Sequence, residues 1–382
     1  MIDFDRVIER RGSASLKWDG AAQRFGAEVL PLWVADMDFA VAPGILDALR
    51  QRLEYPIFGY PDREAAFHRA ARAWWQHRYG WSPAAEAVLS VSGVVPALFA
   101  AVRAFTEPGD GVVVLPPVYP PFLEAVREDH RQLELVPLRA DTEGWYTIDW
   151  SALEAALAKA KLLLFCSPHN PVGRVWQIAE LQRVIELCRG LGVRLVSDEI
   201  HADLSYATHT PLAQLAPEAV VLSSAGKAFN IAGLGGGIAS CADPDLRALL
   251  AAELQRSQCH HINDLGMLAA IAAWQTGEAW LDVLRAYLQE NLDFLAAQLH
   301  ERLPQVTYRL PEFGYLAWLG VAAYGSDTEI AEGLRRAGLG LNLGPSFGPG
   351  GSGYLRLNVA TPRAVLGEGV ERLVQALDST SR

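Results

Sequence analysis

The chain has 382 residues, 51% of them hydrophobic and 20% charged, with a formal net charge of −11. That is the composition of a folded globular protein with ample core material, and its acidity excludes a broad nucleic-acid or anionic-membrane surface. Four cysteines (Cys166, Cys188, Cys241, Cys259) form no C-x-x-C pair, so neither a disulfide framework nor a structural zinc site is expected, and a reducing cytoplasm is.

The N-terminal MIDFDRVIERRG is charged and lacks an apolar core, so it does not read as a signal peptide. No apolar run is long enough to span a bilayer. From about Asp62 to Ser240, helical periodicity alternates with short apolar runs at Val112–Leu115, Leu162–Cys166, Arg194–Ser197 and Val220–Ser223. Between them lies a helical pattern, Ile178–Gly190, with Gly190 and Gly192 as stop signals. Such alternation predicts a mostly parallel twisted sheet with helices on both faces. Ligands then bind beyond the carboxyl ends of the strands. After about Ala242 the pattern predicts helices at Asp243–Gln258, Asp264–Thr276 and Trp280–Arg302. A smaller α+β region follows, with strands at Val306–Arg309, Tyr315–Leu319 and Tyr354–Val359 and a last helix at Pro362–Leu377. No repeat or low-complexity tract interrupts the chain.

Four segments that follow strands carry candidate chemistry. In Ser223–Asn230 (SSAGKAFN), Lys227 follows a buried strand; desolvation there lowers an amine's pKa and suits Schiff-base chemistry. The bland reading is a lysine in a surface loop. In Ser197–His201 (SDEIH), Asp198 reads either as the partner of a protonated ring nitrogen or as a helix cap, and Glu199 as a solvated charge at a helix start. In Cys166–Gly173 (CSPHNPVG), two prolines flank His169–Asn170 and present the Asn170 amide to a ligand or to its own backbone. In Ser90–Phe105, Ser92–Gly93–Val94 opens a helix, a generic phosphate site as well as an ordinary capped helix start. Ser224 reads as a further phosphate donor. Each signal is ambiguous alone; their order along one predicted sheet is not.

These segments, with Phe4–Asp19 (FDRVIERRGSASLKWD), Leu30–Phe39 (LPLWVADMDF), Phe58–Pro61 (FGYP), Leu115–Phe122 (LPPVYPPF) and Tyr354–Arg363 (YLRLNVATPR), resemble the pyridoxal-5′-phosphate (PLP) enzymes of fold type I. The resemblance is to the class I/II aminotransferase superfamily and, through the KWD and WVADMDF segments, to its MalY/PatB-like cystathionine β-lyase (C–S lyase) branch. It implies an α/β fold: a large domain over residues 45–275, with a mostly parallel seven-stranded sheet between helices. The implied smaller α+β domain combines residues 1–44 and 276–382. By the same resemblance Lys227 forms the Schiff base with PLP and moves the proton at Cα, Asp198 pairs with the pyridine nitrogen, and Asn170 bonds the ring hydroxyl and substrate. Tyr119 stacks on the ring, His201 lies beside it, and the Gly93 and Val94 amides with Ser224 bind phosphate. Ala35 and Arg356 contact the substrate, Arg356 as a bidentate fork on its carboxylate. Tyr60 reaches the partner subunit's cofactor, which makes the enzyme a homodimer.

The sequence departs from the wider superfamily where Gly235 stands in place of an arginine eight residues after the lysine. It also has His201 where a tyrosine often follows the aspartate, and Ala225-Gly226 ahead of Lys227 where relatives often carry a serine. Gly233–Gly237 (GLGGG) echoes a dinucleotide loop without its strand context, His260–His261 lack a third metal ligand nearby, and Cys166 reads as a small buried residue. No metal is expected. The expected activity is cleavage of cystathionine or a related cysteine S-conjugate to a thiol, pyruvate and ammonia. An aminotransferase using the same residues is the alternative. A ligand-sensing regulatory module would need a DNA-binding domain ahead of the signature that begins at Phe4.

Overall fold

A computed structural model of the chain describes residues 2–378. Its main sheet has seven strands: β1 (Val88–Val91), β2 (Gly111–Val114), β3 (Gln132–Leu135), β4 (Ala160–Cys166), β5 (Arg194–Asp198), β6 (Val220–Ser223) and β7 (Gly237–Ser240). They lie in the order β1-β7-β6-β5-β4-β2-β3. All run parallel except β7, which is antiparallel to both of its neighbours.

The apolar runs are continuous because both faces of the sheet are covered. Leu162, Leu164 and Cys166 of β4 face one core with Val112, Val114 and Val196; helices α1 (Val94–Phe105) and α2 (Pro121–Glu128) close it through Leu98, Ala101 and Phe122. The alternate residues Leu163 and Phe165 face a second core with Val113, Leu195 and Val221, closed by Leu181, Val184 and Ile185 of α3 (Ile178–Leu191). Helix α3 starts where Glu180 accepts from the Gln177 amide at 2.8 Å and stops at Gly192, in the left-handed region at φ 67°. Its glycine end is the one the sequence marks.

A second sheet is antiparallel throughout: β8 (Thr307–Tyr308), β9 (Leu316–Gly320), β10 (Asn342–Leu343) and β11 (Tyr354–Asn358), in the order β8-β9-β11-β10. Its core is continuous with α4 (Asp264–Thr276), α5 (Glu278–Arg302) and α6 (Arg363–Asp378). The N-terminal segment joins this core. Phe4 packs on Phe39 and Trp280 with ring centroids 4.9 and 5.7 Å apart, and Leu30–Pro31 pairs in parallel with Leu339–Gly340.

The sequence-marked strands and helices fall within a few residues of the observed ones; Asp264–Thr276 agrees at both ends. Three strands of the main sheet escape the pattern, as do the two-residue strands β10, Leu30–Pro31 and Leu339–Gly340. β3 reads QLEL and is an edge strand whose residues are all at least partly exposed. β1 and β7 (VLSV and GIAS) are four residues each and carry serines and a glycine. Truncating Phe165, which is fully buried against Trp176, should destabilise the fold by about 3–5 kcal/mol. The half-exposed Ile178 should cost under about 0.5 kcal/mol when changed to alanine. Comparing the urea midpoints of Phe165→Ala and Ile178→Ala checks this.

Candidate active site

A cavity of about 250 Å³ opens at the carboxyl ends of the parallel strands, lined among others by Ala35, Gly93, Val94, Tyr119, Asn170, Asp198, His201, Ser224 and Lys227. Asp198 ends β5, Lys227 follows β6, Asn170 follows β4, Tyr119 follows β2, and Gly93–Val94 joins β1 to α1. The sheet thus gathers residues far apart in sequence onto one rim.

Three charged groups in or beside the cavity are short of partners. The Asp198 carboxylate accepts only from the Ile200 amide, at 3.0 Å; burial, reinforced by Glu199, pushes its pKa up to about 7. Burial, then the charge of Arg356, pushes Lys227 down to about 8, against the pull of Asp36 and Asp198. Its Nζ donates to the Ala35 carbonyl at 2.8 Å. Arg356, on β11, is buried and forms no ion pair among the described residues, and burial lowers its pKa to about 10. Its Nη1 donates to Asn170 Oδ1 at 3.1 Å; Nη2 donates to the Trp33 carbonyl and Asn342 Oδ1, each at 3.2 Å. The guanidinium lies over the Phe347 ring, 4.9 Å from its centroid, and its Nε has no acceptor.

The neutral groups complete the rim. Because Asn170 Oδ1 is held by Arg356, its amide N–H groups stay available to a ligand. Burial raises the Tyr119 phenol and lowers the His201 imidazole to about 3, so His201 is neutral, with Nδ1 buried and unpartnered. At the opposite end, the first N–H groups of α1 have no intrahelical acceptor. Ser224 lines the cavity as expected, but its hydroxyl donates to the Gly236 carbonyl at 2.7 Å and accepts from the Gly226 amide at 3.0 Å. Its proton is therefore committed before any phosphate arrives.

Tyr60 is not brought to this cavity. It is fully exposed, on a surface groove with Arg52, Tyr55, Arg63 and Asp264. The GLGGG run is no dinucleotide loop. Gly235 and Gly236 line the cavity at φ 71° and 95°, and the Gly236 amide donates to the Ser92 carbonyl at 2.9 Å. A Cβ on Gly236 would meet Ile262 at 2.8 Å, so the close approach and the positive φ both demand glycine. Cys166 lines the cavity, buried, its thiol pushed up by desolvation. The rings of His260 and His261 lie 3.7 Å apart, and no group of three potential metal ligands forms among the described residues.

Sequence reasoning missed the way Trp33–Asp38 is held. This strap is neither helix nor strand, and side chains grip five successive carbonyls. Arg356 holds Trp33, Asn358 holds Val34 and Asp36 (2.6 Å each), Lys227 and Tyr315 hold Ala35 (2.8 and 3.1 Å), and Asn230 and Arg10 hold Met37 (3.0 and 3.2 Å). Below it lies the KWD segment, of which Lys17 is buried and Trp18 partly so: Lys17 Nζ and Trp18 Nε1 both donate to Asp38 at 2.8 Å, and Arg10 forks onto Asp36 and Asp38.

The donor set fits a phosphorylated pyridine aldehyde. It offers an amine for the aldehyde, a carboxylate in need of a positive partner for the ring nitrogen, an amide for the hydroxyl, and a helix N-terminus for the phosphate. The family model for aminotransferase class I and II matches residues 27–373. Cystathionine β-lyase PatB of Bacillus subtilis is 41% identical, covering 98% of this chain and all of its own. Protein MalY of Escherichia coli is 35% identical over 99% of each. The crystal structure of cystalysin from Treponema denticola, which contains a pyridoxal 5′-phosphate cofactor, superposes with a TM-score of 0.95 at 33% identity over 99% of each chain. The chain therefore belongs to the class I and II aminotransferase family, in its MalY/PatB-like branch of PLP-dependent C–S lyases.

Proposed function

We propose that the chain is a C–S β-lyase that opens cystathionine or a related cysteine S-conjugate, with Lys227, Asp198, Asn170 and Arg356 as its working residues. One observation supports the residue assignment: among the described residues, a buried amine and a carboxylate without an ion-pair partner share one cavity, and a guanidinium without an anion borders it through its bond to Asn170 at 3.1 Å. Bound PLP supplies an electron sink conjugated to the substrate's α-carbon. Asp198 would hold the ring nitrogen's proton, Asn170 the ring hydroxyl, Tyr119 the ring face, and the Gly93 and Val94 amides the phosphate. His201, neutral, lies beside the ring, and Ser224 serves the phosphate only by giving up its bond to Gly236. Arg356 clamps the substrate carboxylate while Lys227 takes the α-proton. The thiolate then leaves Cβ, and the unsaturated amine that remains is hydrolysed to pyruvate and ammonia. With a good leaving group held in line by the Arg356 clamp, loss of the thiolate would precede any return of the proton by Lys227, the step an aminotransferase needs.

The reading extends to assembly. Tyr55, Ile57, Phe58 and Tyr60 expose a contiguous aromatic and aliphatic segment, which supports a homodimer in which Tyr60 completes the partner's site. The division into a 45–275 large domain and a small domain of 1–44 with 276–382 belongs to the same reading. So does a cytoplasmic location, supported by four free cysteines and by the absence, among the described residues, of any helix long and apolar enough to cross a membrane.

Cystathionine should give stoichiometric homocysteine, pyruvate and ammonia with no oxo-acid acceptor. Turnover that requires 2-oxoglutarate and yields glutamate would return the aminotransferase alternative. Lys227→Ala should lose the borohydride-sensitive visible absorbance and turnover together. Arg356→Ala should lower kcat/KM by about 10- to 100-fold, the worth of a charged hydrogen-bond pair. The lowered pKa of Lys227 has its own signature, because only the neutral amine attacks the aldehyde. Cofactor-free protein should take up PLP at a rate rising through about pH 8, whereas an ordinary lysine titrates near 10.5. Finally, hybrid dimers of a Tyr60→Phe chain and a Lys227→Ala chain should concentrate both lesions in one of two sites; an active monomer in sedimentation would refute that arrangement.

A further inference from the structure

We propose that the Arg10–Lys17–Asp36–Asp38 cluster, with Lys17 and Asp38 buried and Arg10 and Asp36 at its partly exposed margin, is a positioning device for Lys227, acting through the Trp33–Asp38 strap. The proposal rests on the reading of Lys227 as the cofactor lysine. The four charges neutralise one another pairwise. Lys17, fully buried, lies 2.8 Å from Asp38 and 3.7 Å from Asp36; Arg10 lies 2.7 Å from Asp38 and 3.0 Å from Asp36. Burying the Lys17–Asp38 pair for stability alone is a poor arrangement, since apolar residues of the same volume do as well or better. What such a network provides is a single geometry. Here the geometry is that of a backbone segment with no helix or sheet of its own. Arg10 reaches past the carboxylates to the Met37 carbonyl, and the Trp33 indole donates to the Lys17 carbonyl at 3.2 Å, so the strap is tied to the cluster at both ends. The middle of the strap presents the Ala35 carbonyl to Lys227 Nζ and the Tyr315 hydroxyl.

The Ala35 carbonyl is the one hydrogen-bond acceptor recorded for the lysine amine among the described residues. It directs the amine within the cavity and stabilises the protonated form. The other charged and polar groups that act on Lys227 come from different elements: Asp198 at the end of β5, His201 beyond it, Arg356 on β11 and Asp36 on the strap. Neither Arg10 nor Lys17 contacts the amine. Both are positioning residues.

The test uses cofactor-free protein and PLP itself, following uptake by absorbance and identifying the modified lysine by borohydride trapping and peptide mass. At pH values above the Lys227 titration the amine is neutral in every variant, so the plateau rate reads orientation and not protonation. Asp38→Asn and Lys17→Met change the local charge in opposite directions, yet both displace the strap. Both should lower the plateau by about tenfold or more, the scale on which small misplacements act, with unchanged circular dichroism. In Asp38→Asn the midpoint should also fall, because the displaced Ala35 acceptor and the lost negative charge act alike. Where a buried-charge variant does not fold, Arg10→Gln carries the same plateau test, since that guanidinium is 21% exposed and water can replace it. Unchanged plateaus with displaced midpoints would mean that the cluster acts through its field alone, and would overturn the proposal. Trapping on a lysine other than Lys227 would overturn the underlying reading instead, whatever the variants do.

Discussion

Taking the Lys227 amine out of water is the constraint on which the site depends. An ammonium in that position has few groups to solvate it, so it gives up its proton near neutrality instead of above pH 10. The same burial leaves Asp198 and Arg356 without counter-ions. Each of these conditions costs stability. Asp198 ends a strand buried on both faces, Lys227 follows the next strand in a short loop anchored to it, and Arg356 is carried by the second sheet, so regular structure holds each group in place.

The strap works from the opposite side. Five consecutive carbonyls in backbone outside any helix or sheet would be open to water or to another chain. Here side chains close that edge, some from the lysine loop (Lys227, Asn230) and some from the second sheet and its approach (Tyr315, Arg356, Asn358). The two sheets therefore meet through the strap as well as through direct packing.

Asp198, Lys227 and Asn170 were legible because each follows an apolar run of strand length, and position after a strand is a local signal. Arg356 was legible only by resemblance. Its strand, YLRLN, reads like any other, and nothing nearby tells that its guanidinium lacks an anion. The KWD and WVADMDF segments were recognisable without being intelligible. Their meaning is the contact of Lys17 and Trp18 with Asp38, about twenty residues away, which no periodicity encodes. Ser224 illustrates the converse, a residue of the right type in the right place whose hydroxyl is already engaged. The glycines after the lysine loop were visible as a motif, but the reason for them is a contact with Ile262 and Ser92 that only the tertiary structure supplies.

The reversed strand has a consequence for how such a protein can diversify. Because β7 returns antiparallel beside β6, with Ile238 opposite Ser223, the segment carrying Lys227 is a closed loop whose two stems are adjacent sheet strands. Closing a longer loop costs little more, about 0.6 kcal/mol for each doubling of length. Insertions between the lysine and β7 can therefore reshape the end of the cavity that Gly235 and Gly236 line while the strand order stays intact. The architecture lets the rim lengthen while adjacent strands hold both stems of the loop, and places Lys227 on the side that leads out of β6.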